Sequence, residues 1–239
     1  MTFGDRCDEL AVTEPSPNRL FVPLAELQAL RGRLQAHLEV PDSRNDYVGT
    51  WTECTIDTDA LFGELSGVWL RPGWRLRAYA YRVGSNGNGV VWALPPEAPD
   101  PAPLGTIRGS LHYPPRPAGA RSCREALTGD GSLLSYMHAS ILIRELGEFG
   151  ALWHGVSWGA HQLIEWLPAD EPWKFELRLP WRLGPRVVRH DDAVSVVFYS
   201  VNHECVVRLL RHVDYYPRGE YQVWRGEIEA ARGGPGYIP

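Results

Sequence analysis

The sequence predicts an α+β fold: a single domain built on a curved, mainly antiparallel sheet of about eight or nine strands, with two or more helices packed on it. Three observations carry this. Trp173–Trp181 reads Trp-Lys-Phe-Glu-Leu-Arg-Leu-Pro-Trp, apolar at every odd position. Successive strand side chains point to opposite faces, so this is the pattern of a half-buried antiparallel strand. Roughly the last 80 residues break into short strand-like runs with no room between them for the crossover helices of a parallel sheet. Finally, Leu24, Leu27, Leu30, Leu34 and Leu38 recur at three- and four-residue intervals, the spacing of an amphipathic helix.

Residues 1–18 are polar and acidic, contain Pro15 and Pro17, and read as a loosely held tail; 19–239 forms the domain. Pro23 suits the first turn of the leucine helix, whose other face carries Glu26, Gln28, Arg31, Arg33 and Gln35 toward solvent. Pro41–Asn45 reads as a loop and Trp51–Ile56 as a strand. Arg75–Val83 and Val90–Leu94 flank Gly84–Gly89, a run of glycine and asparagine that tolerates positive φ and so predicts a hairpin loop. The five prolines of Pro95–Pro103 exclude regular structure, and Thr106–Tyr113 reads as a further strand.

Pro114–Gly131, rich in proline, glycine and polar residues, is expected to be a long mobile loop. Asp130 or Ser132 caps a second helix, Leu133–Leu146, with Leu134, Met137, Ile141 and Leu142 on one face. Strands are expected at about 158–167, 172–181, 185–190, 193–201, 203–216 and 220–228. Val194–Tyr199 is apolar on both faces and reads as a central strand. Val206, Leu209, Leu210 and Val213 also fit a helix capped by Asn202, but the β-branched Val206, Val207 and Val213 favour a strand.

With 239 residues the chain can bury a sizeable core, and its net charge of −5 supplies no basic excess for nucleic acid. No apolar run approaches the roughly 18 residues of a membrane span. The first residues have neither the basic start nor the apolar stretch of a secretion signal, so a cytoplasmic protein is expected. Cys7, Cys54, Cys123 and Cys205 have no short spacing and read as free thiols. Lys174 is the only lysine; that extreme arginine bias is the codon signature of a GC-rich bacterial genome.

Two functional readings emerge. In the first, the protein is a non-enzymatic binding module without a cofactor. Trp158, Trp166, Trp173, Phe175, Trp181 and Phe198 line a groove or cavity of the curved sheet and take an apolar or aromatic small molecule, or a protein partner. The same aromatics can instead fill a core. An exposed sheet edge would also allow a homo-oligomer. Arg208, Arg211, His212 and Asp214 beside Tyr215 and Tyr216 read as a solvated face with cation–π packing, or as an anion contact. His203 and Cys205 would share a strand face, but the sequence has no HExxH and no finger spacing; hydrogen-bonded histidines and no metal are expected.

The second reading starts from Gly155-Val156-Ser157-Trp158-Gly159, a G-x-S-x-G match followed by helically spaced Ala160, Leu163, Ile164 and Leu167. Over about 15 residues this stretch resembles the nucleophile turn of the α/β-hydrolases. The resemblance implies a serine hydrolase or acyltransferase with Ser157 as nucleophile, and it leaves His212 (or His203) as base and Asp191 (or Asp192) as acid. It also implies a parallel sheet, so strand direction separates the two readings.

Overall fold

The computed structural model describes residues 16–40, 49–102 and 107–237. The expected tail up to residue 15, Cys7 within it, the loop Pro41–Asn45 and Thr106 lie outside the described residues. Along the chain run β1 (Arg19–Phe21), α1 (Leu24–His37), β2 (Thr50–Cys54), α2 (Thr58–Gly63), β3 (Val68–Leu70), β4 (Arg75–Val83) and β5 (Asn86–Leu94). Next come β6 (Ile107–Arg108), β7 (Arg121–Ser122), β8 (Leu127–Gly129) and α3 (Leu133–Gly147). The chain finishes with β9 (His161–Ile164), β10 (Lys174–Phe175), β11 (Arg186–Arg189), β12 (Ala193–Asn202), β13 (Val206–Pro217) and β14 (Trp224–Pro235).

The α+β class is the expected one, with more strands than expected and three sheets rather than one. A seven-stranded sheet has the order β1-β11-β12-β13-β14-β10, with β9 pairing onto the end of β12. A five-stranded sheet has the order β6-β2-β4-β5-β7, and β3 pairs β8 in a small third one. Every strand ladder is antiparallel. Helix α3 sits between the two larger sheets, against β11 and β12 on one side and β5 on the other. That position explains its burial on nearly every side, from Ser135 through Leu146. Ser132 is its N-cap, with the side chain accepting from the Ser135 N–H. Helix α1 lies on α3 through Leu27, Leu30 and Leu34.

Within the large sheet the pleat sorts residues by parity. Phe198 stands opposite His212 and His212 opposite Glu227. Val194, Val196, Phe198 and Tyr216 therefore face α3 and join its core, whereas Val197, Tyr199, Val201, Leu209 and Val213 build a second core on the far face. Leu167, Trp173, Leu177 and Leu179, from the irregular segment between β9 and β11, cover that far face.

Several expectations change. The alternation in Trp173–Trp181 does turn Trp173, Leu177 and Leu179 inward, but only Lys174 and Phe175 pair as a strand. The Glu176 and Leu177 N–H groups converge on the single Ala230 carbonyl, which ends the ladder. The Gly84–Gly89 loop is really a tight turn at Gly84-Ser85, with Val83 opposite Asn86. Glycine is needed further along for another reason: a Cβ at Gly89 would stand 2.3 Å from the Phe149 carbonyl oxygen, where the chain leaving α3 crosses β5. The stretch Pro114–Gly131, expected as one mobile loop, is anchored by β7, β8 and a 3-10 turn at Cys123–Ala126 whose Ala126 is fully buried. Residues 206–217 form a strand, and Cys205 precedes it at φ 57°, so the strand alternation that would place His203 beside Cys205 does not apply.

Candidate functional site

On the face toward α3 the large sheet carries a line of polar side chains across four adjacent strands. Asn202 of β12 stands opposite His161 of β9, so His161 is the diagonal neighbour of Ser200. Ser200 is likewise diagonal to His212 on β13, which is directly opposite Glu227 on β14. Ser200 Oγ lies 2.9 Å from His161 Nδ1 and 2.7 Å from His212 Nε2. His212 Nδ1 lies 3.3 Å from Glu227 Oε2.

The carboxylate fixes the tautomer of His212. An unprotonated Nδ1 would face the Glu227 oxygen lone pair to lone pair, so Nδ1 carries the proton and Nε2 accepts from Ser200. His161 Nδ1–H then donates to Ser200, and one hydrogen-bond direction runs from His161 through Ser200 to His212, with the Glu227 carboxylate 3.3 Å beyond it. Burial, followed by the charge of Arg208, Arg31 and Arg144, lowers the pKa of His161 to about 4. Burial and Arg144 lower that of His212 to about 2. Glu227 does not offset this because its side chain is 54% exposed and its charge is screened by water.

The helices roof this line. Trp158 packs its ring 5.4 Å from His161, 5.6 Å from His212 and 6.0 Å from Phe198. Its indole N–H donates to Glu145 at 2.7 Å, and the Arg31 guanidinium lies 4.4 Å over the same ring. Arg31 and Gln35, expected in solvent, both donate to Glu145 (2.7 and 2.9 Å), since they border the leucine stripe on the side that meets α3. Arg144 forms a two-pronged pair with Asp214 at 2.5 and 2.9 Å, both side chains buried.

Ser157 is not on a strand-to-helix turn. It lies between 3-10 turns at Trp153–Gly155 and Trp158–Ala160, in an antiparallel fold that lacks the parallel sheet implied by the hydrolase resemblance. The backbone N–H groups of Ser157, Trp158 and Gly159 converge on the Glu148 carboxylate at 2.6, 2.9 and 3.0 Å. Gly155 is small because a Cβ there would meet the Gly87 carbonyl oxygen at 1.9 Å. Asp191 sits in the β11–β12 turn, on the order of 15–20 Å along the strand from the Phe198–His212 pair. The serine and carboxylate that touch His212 are Ser200 and Glu227.

The six aromatics chosen from sequence divide between the two faces. Trp158 and Phe198 are core residues under α3. Trp173 is half-buried on the far side, donating its indole N–H to the Pro168 carbonyl, and Phe175 is exposed on β10. Trp166 and Trp181 meet edge to face at 4.7 Å and are 47% and 74% exposed. Arg182, hydrogen-bonded to Glu165, spans from the Trp166 ring (5.9 Å) to the ring of Phe21 (5.5 Å) on β1. Phe21 is directly opposite Arg186, and Arg19 opposite Val188, so Arg19 and Arg186 flank Phe21 on the same face.

No described carboxylate pairs with either arginine. Arg186 Nη1 is buried without a hydrogen-bond acceptor, and burial together with the Arg186 charge lowers the pKa of Arg19. Among the described residues, no helix is long and apolar enough to cross a membrane. No family model, no curated protein and no solved structure matches this chain.

Proposed function

We propose that the protein is a binding module for a small molecule that combines an aromatic ring with an anionic group, held on the patch formed by Phe21, Trp166, Trp181, Arg182, Arg19 and Arg186. The observation that carries this reading is the unpaired Arg186 Nη1 beside Arg19. Two adjacent guanidiniums without a carboxylate repel one another, and the buried Arg186 N–H without an acceptor has its desolvation offset only by the Tyr199 ring, 5.9 Å from the guanidinium carbon. A carboxylate or phosphate placed between them would relieve both. The exposed edge-to-face pair Trp166–Trp181 offers a ring-stacking surface next to that charge, and large exposed aromatics in contact are unusual unless something covers them.

Calorimetric titration with indole-3-acetate, against its neutral amide and against acetate, tests this. The acid is expected to bind, with affinity falling about tenfold or more for the amide and for Arg186→Gln, the loss of one charge-assisted hydrogen bond. Trp181→Ala should weaken both aromatic probes alike. Equal affinity for acid and amide would remove the anionic part of the proposal, and no heat with any probe from folded protein would remove the site.

A further inference from the structure

We propose that His161, His212 and Glu227 form a divalent metal site of zinc type, separate from the aromatic patch and on the opposite face of the sheet. One ring nitrogen from each histidine and one Glu227 oxygen lie within 4.8 Å of one another. Ligand atoms around a tetrahedral zinc at about 2.0–2.1 Å stand about 3.3–3.4 Å apart. The His212 Nδ1–Glu227 Oε2 edge already measures 3.3 Å, so only His161 has to close in.

The residue beneath the site fits the same chemistry. Ser200 Oγ has two lone pairs and touches one nitrogen of each ring, at 2.9 and 2.7 Å. If it accepts from both rings at once, the second nitrogen of each is unprotonated and free to ligate. Ser200 would then be the positioning residue that sets both tautomers, the role metal-bound histidines usually give to a hydrogen-bonded neighbour. Loading moves the His212 proton from Nδ1 to Nε2, reversing the bond to Ser200 without breaking it.

Access and charge narrow the ligand to an ion. Ser200 is fully buried and the His212 side chain is 2% exposed, whereas Glu227 is 54% exposed at the end of the line. An ester or peptide carbonyl cannot reach Ser200 past that wall, but a small cation can be handed inward by the carboxylate. Of the guanidiniums that act on the rings, Arg31 and Arg144 are matched by Glu145 and Asp214. Arg208 and Arg225 add positive potential at the rings that a dication has to overcome. Neutralising Glu227 should therefore cost more than its share of the bonds.

Equilibrium dialysis of the full chain with Zn²⁺, and Co²⁺ spectroscopy in parallel, tests the site. One ion per chain is expected, with the visible absorption of tetrahedral cobalt. Glu227→Gln, at an exposed position that leaves packing intact, and His161→Gln should each lower affinity by about 100-fold or more. Ser200→Ala should lower it by about 10–100-fold, as loss of a ligand's hydrogen-bond partner does. No bound ion in folded protein would overturn the proposal. So would binding unchanged in both Gln variants and lost in Cys205→Ser, which would place the ion at the exposed Cys205 thiol.

Discussion

The two faces of the large sheet are built from alternate residues of the same strands, yet they are held by opposite means. Toward α3, β12 and β13 present Ser200, Asn202, His212 and Asp214, all buried. Away from it they present mainly Val197, Tyr199, Val201, Leu209 and Val213. The difference follows from what covers each face. Helix α3 is rigid and delivers side chains at fixed positions: Arg144 meets Asp214, Ser140 meets the Tyr216 hydroxyl at 2.8 Å, and Glu145 holds Trp158 over the histidines. Oriented donors and acceptors can satisfy buried polar groups, which are otherwise costly. The segment between β9 and β11 has little regular structure. It offers leucines, and the face beneath it is correspondingly apolar.

Breaking one partner on each face measures the contrast. Asp214→Ala leaves the Arg144 guanidinium buried without its carboxylate and should cost about 3–5 kcal/mol. Replacing both, as Arg144→Met with Asp214→Leu, should recover most of that loss, because two matched apolar groups restore packing without a stranded charge. On the apolar face Leu209→Ala should cost about 2–5 kcal/mol through lost transfer energy and a cavity, with no single second change to rescue it. Urea unfolding of these variants decides the matter. A double variant no more stable than Asp214→Ala would mean that the polar face depends on its charges and not merely on their matching.

This contrast also explains which parts of the molecule were legible in the sequence. Helix α1 and helix α3 with its Ser132 cap are marked by local periodicity, which a sequence displays directly, while β12 is marked by apolar residues on both faces and β13 by its β-branched valines. Trp173–Trp181 has the alternation but mostly not the element, because Trp173, Leu177 and Leu179 pack on the sheet without pairing to it, while Phe175 and Trp181 stay exposed. The polar line was illegible because its members come from β9, β12, β13 and β14, and only the register of three ladders brings them together. Its one trace was the set of polar even positions, Ser200, Asn202, His212 and Asp214, inside strands otherwise apolar on that side. The sequence singles out His212 as a base, and the residues beside it in the fold are Ser200 and Glu227 rather than Ser157 and Asp191. Trp166 and Trp181 stand among the six aromatics that the sequence offers for a groove, but their contact with one another is not visible there, and Arg19, Phe21 and Arg186 reach that side of the sheet only through the β1–β11 pairing.

Acid should separate the faces next. His161 and His212, with pKa values lowered to about 4 and about 2, are neutral in the folded protein while the unfolded chain titrates near the ordinary value of 6.5. Below pH 6.5 the unfolded state therefore binds more protons, and stability falls as pH falls. The loss is about 1.4 kcal/mol per pH unit for each histidine until the folded group also titrates. Chemical unfolding at pH 7, 6 and 5 should show this slope, in a range above that where carboxylates contribute. His161→Gln should flatten the slope by about one proton's worth, while Leu209→Ala lowers every point and leaves the slope unchanged. A wild-type protein as stable at pH 5 as at pH 7 would mean that these rings take up protons in the fold, with Glu227 as counter-ion to His212.

The smallest effect is expected where the sheet meets solvent. Trp181 is 74% exposed with its ring against Trp166, so Trp181→Ala should change stability by no more than about 0.5 kcal/mol, the range of surface positions that hold nothing together. A bulky aromatic that contributes nothing to folding has no reason in the fold to be there. If Trp181→Ala unfolds at the same urea concentration as the wild type yet loses affinity for indole-3-acetate, its role is in recognition. If it costs 2 kcal/mol or more, on the scale of a buried aromatic, then Trp181 closes the apolar core from outside and the patch around Phe21 is packing that happens to reach the surface. One unfolding curve and one titration on the same variant thus decide whether the far face of the sheet ends in a core or begins a binding site.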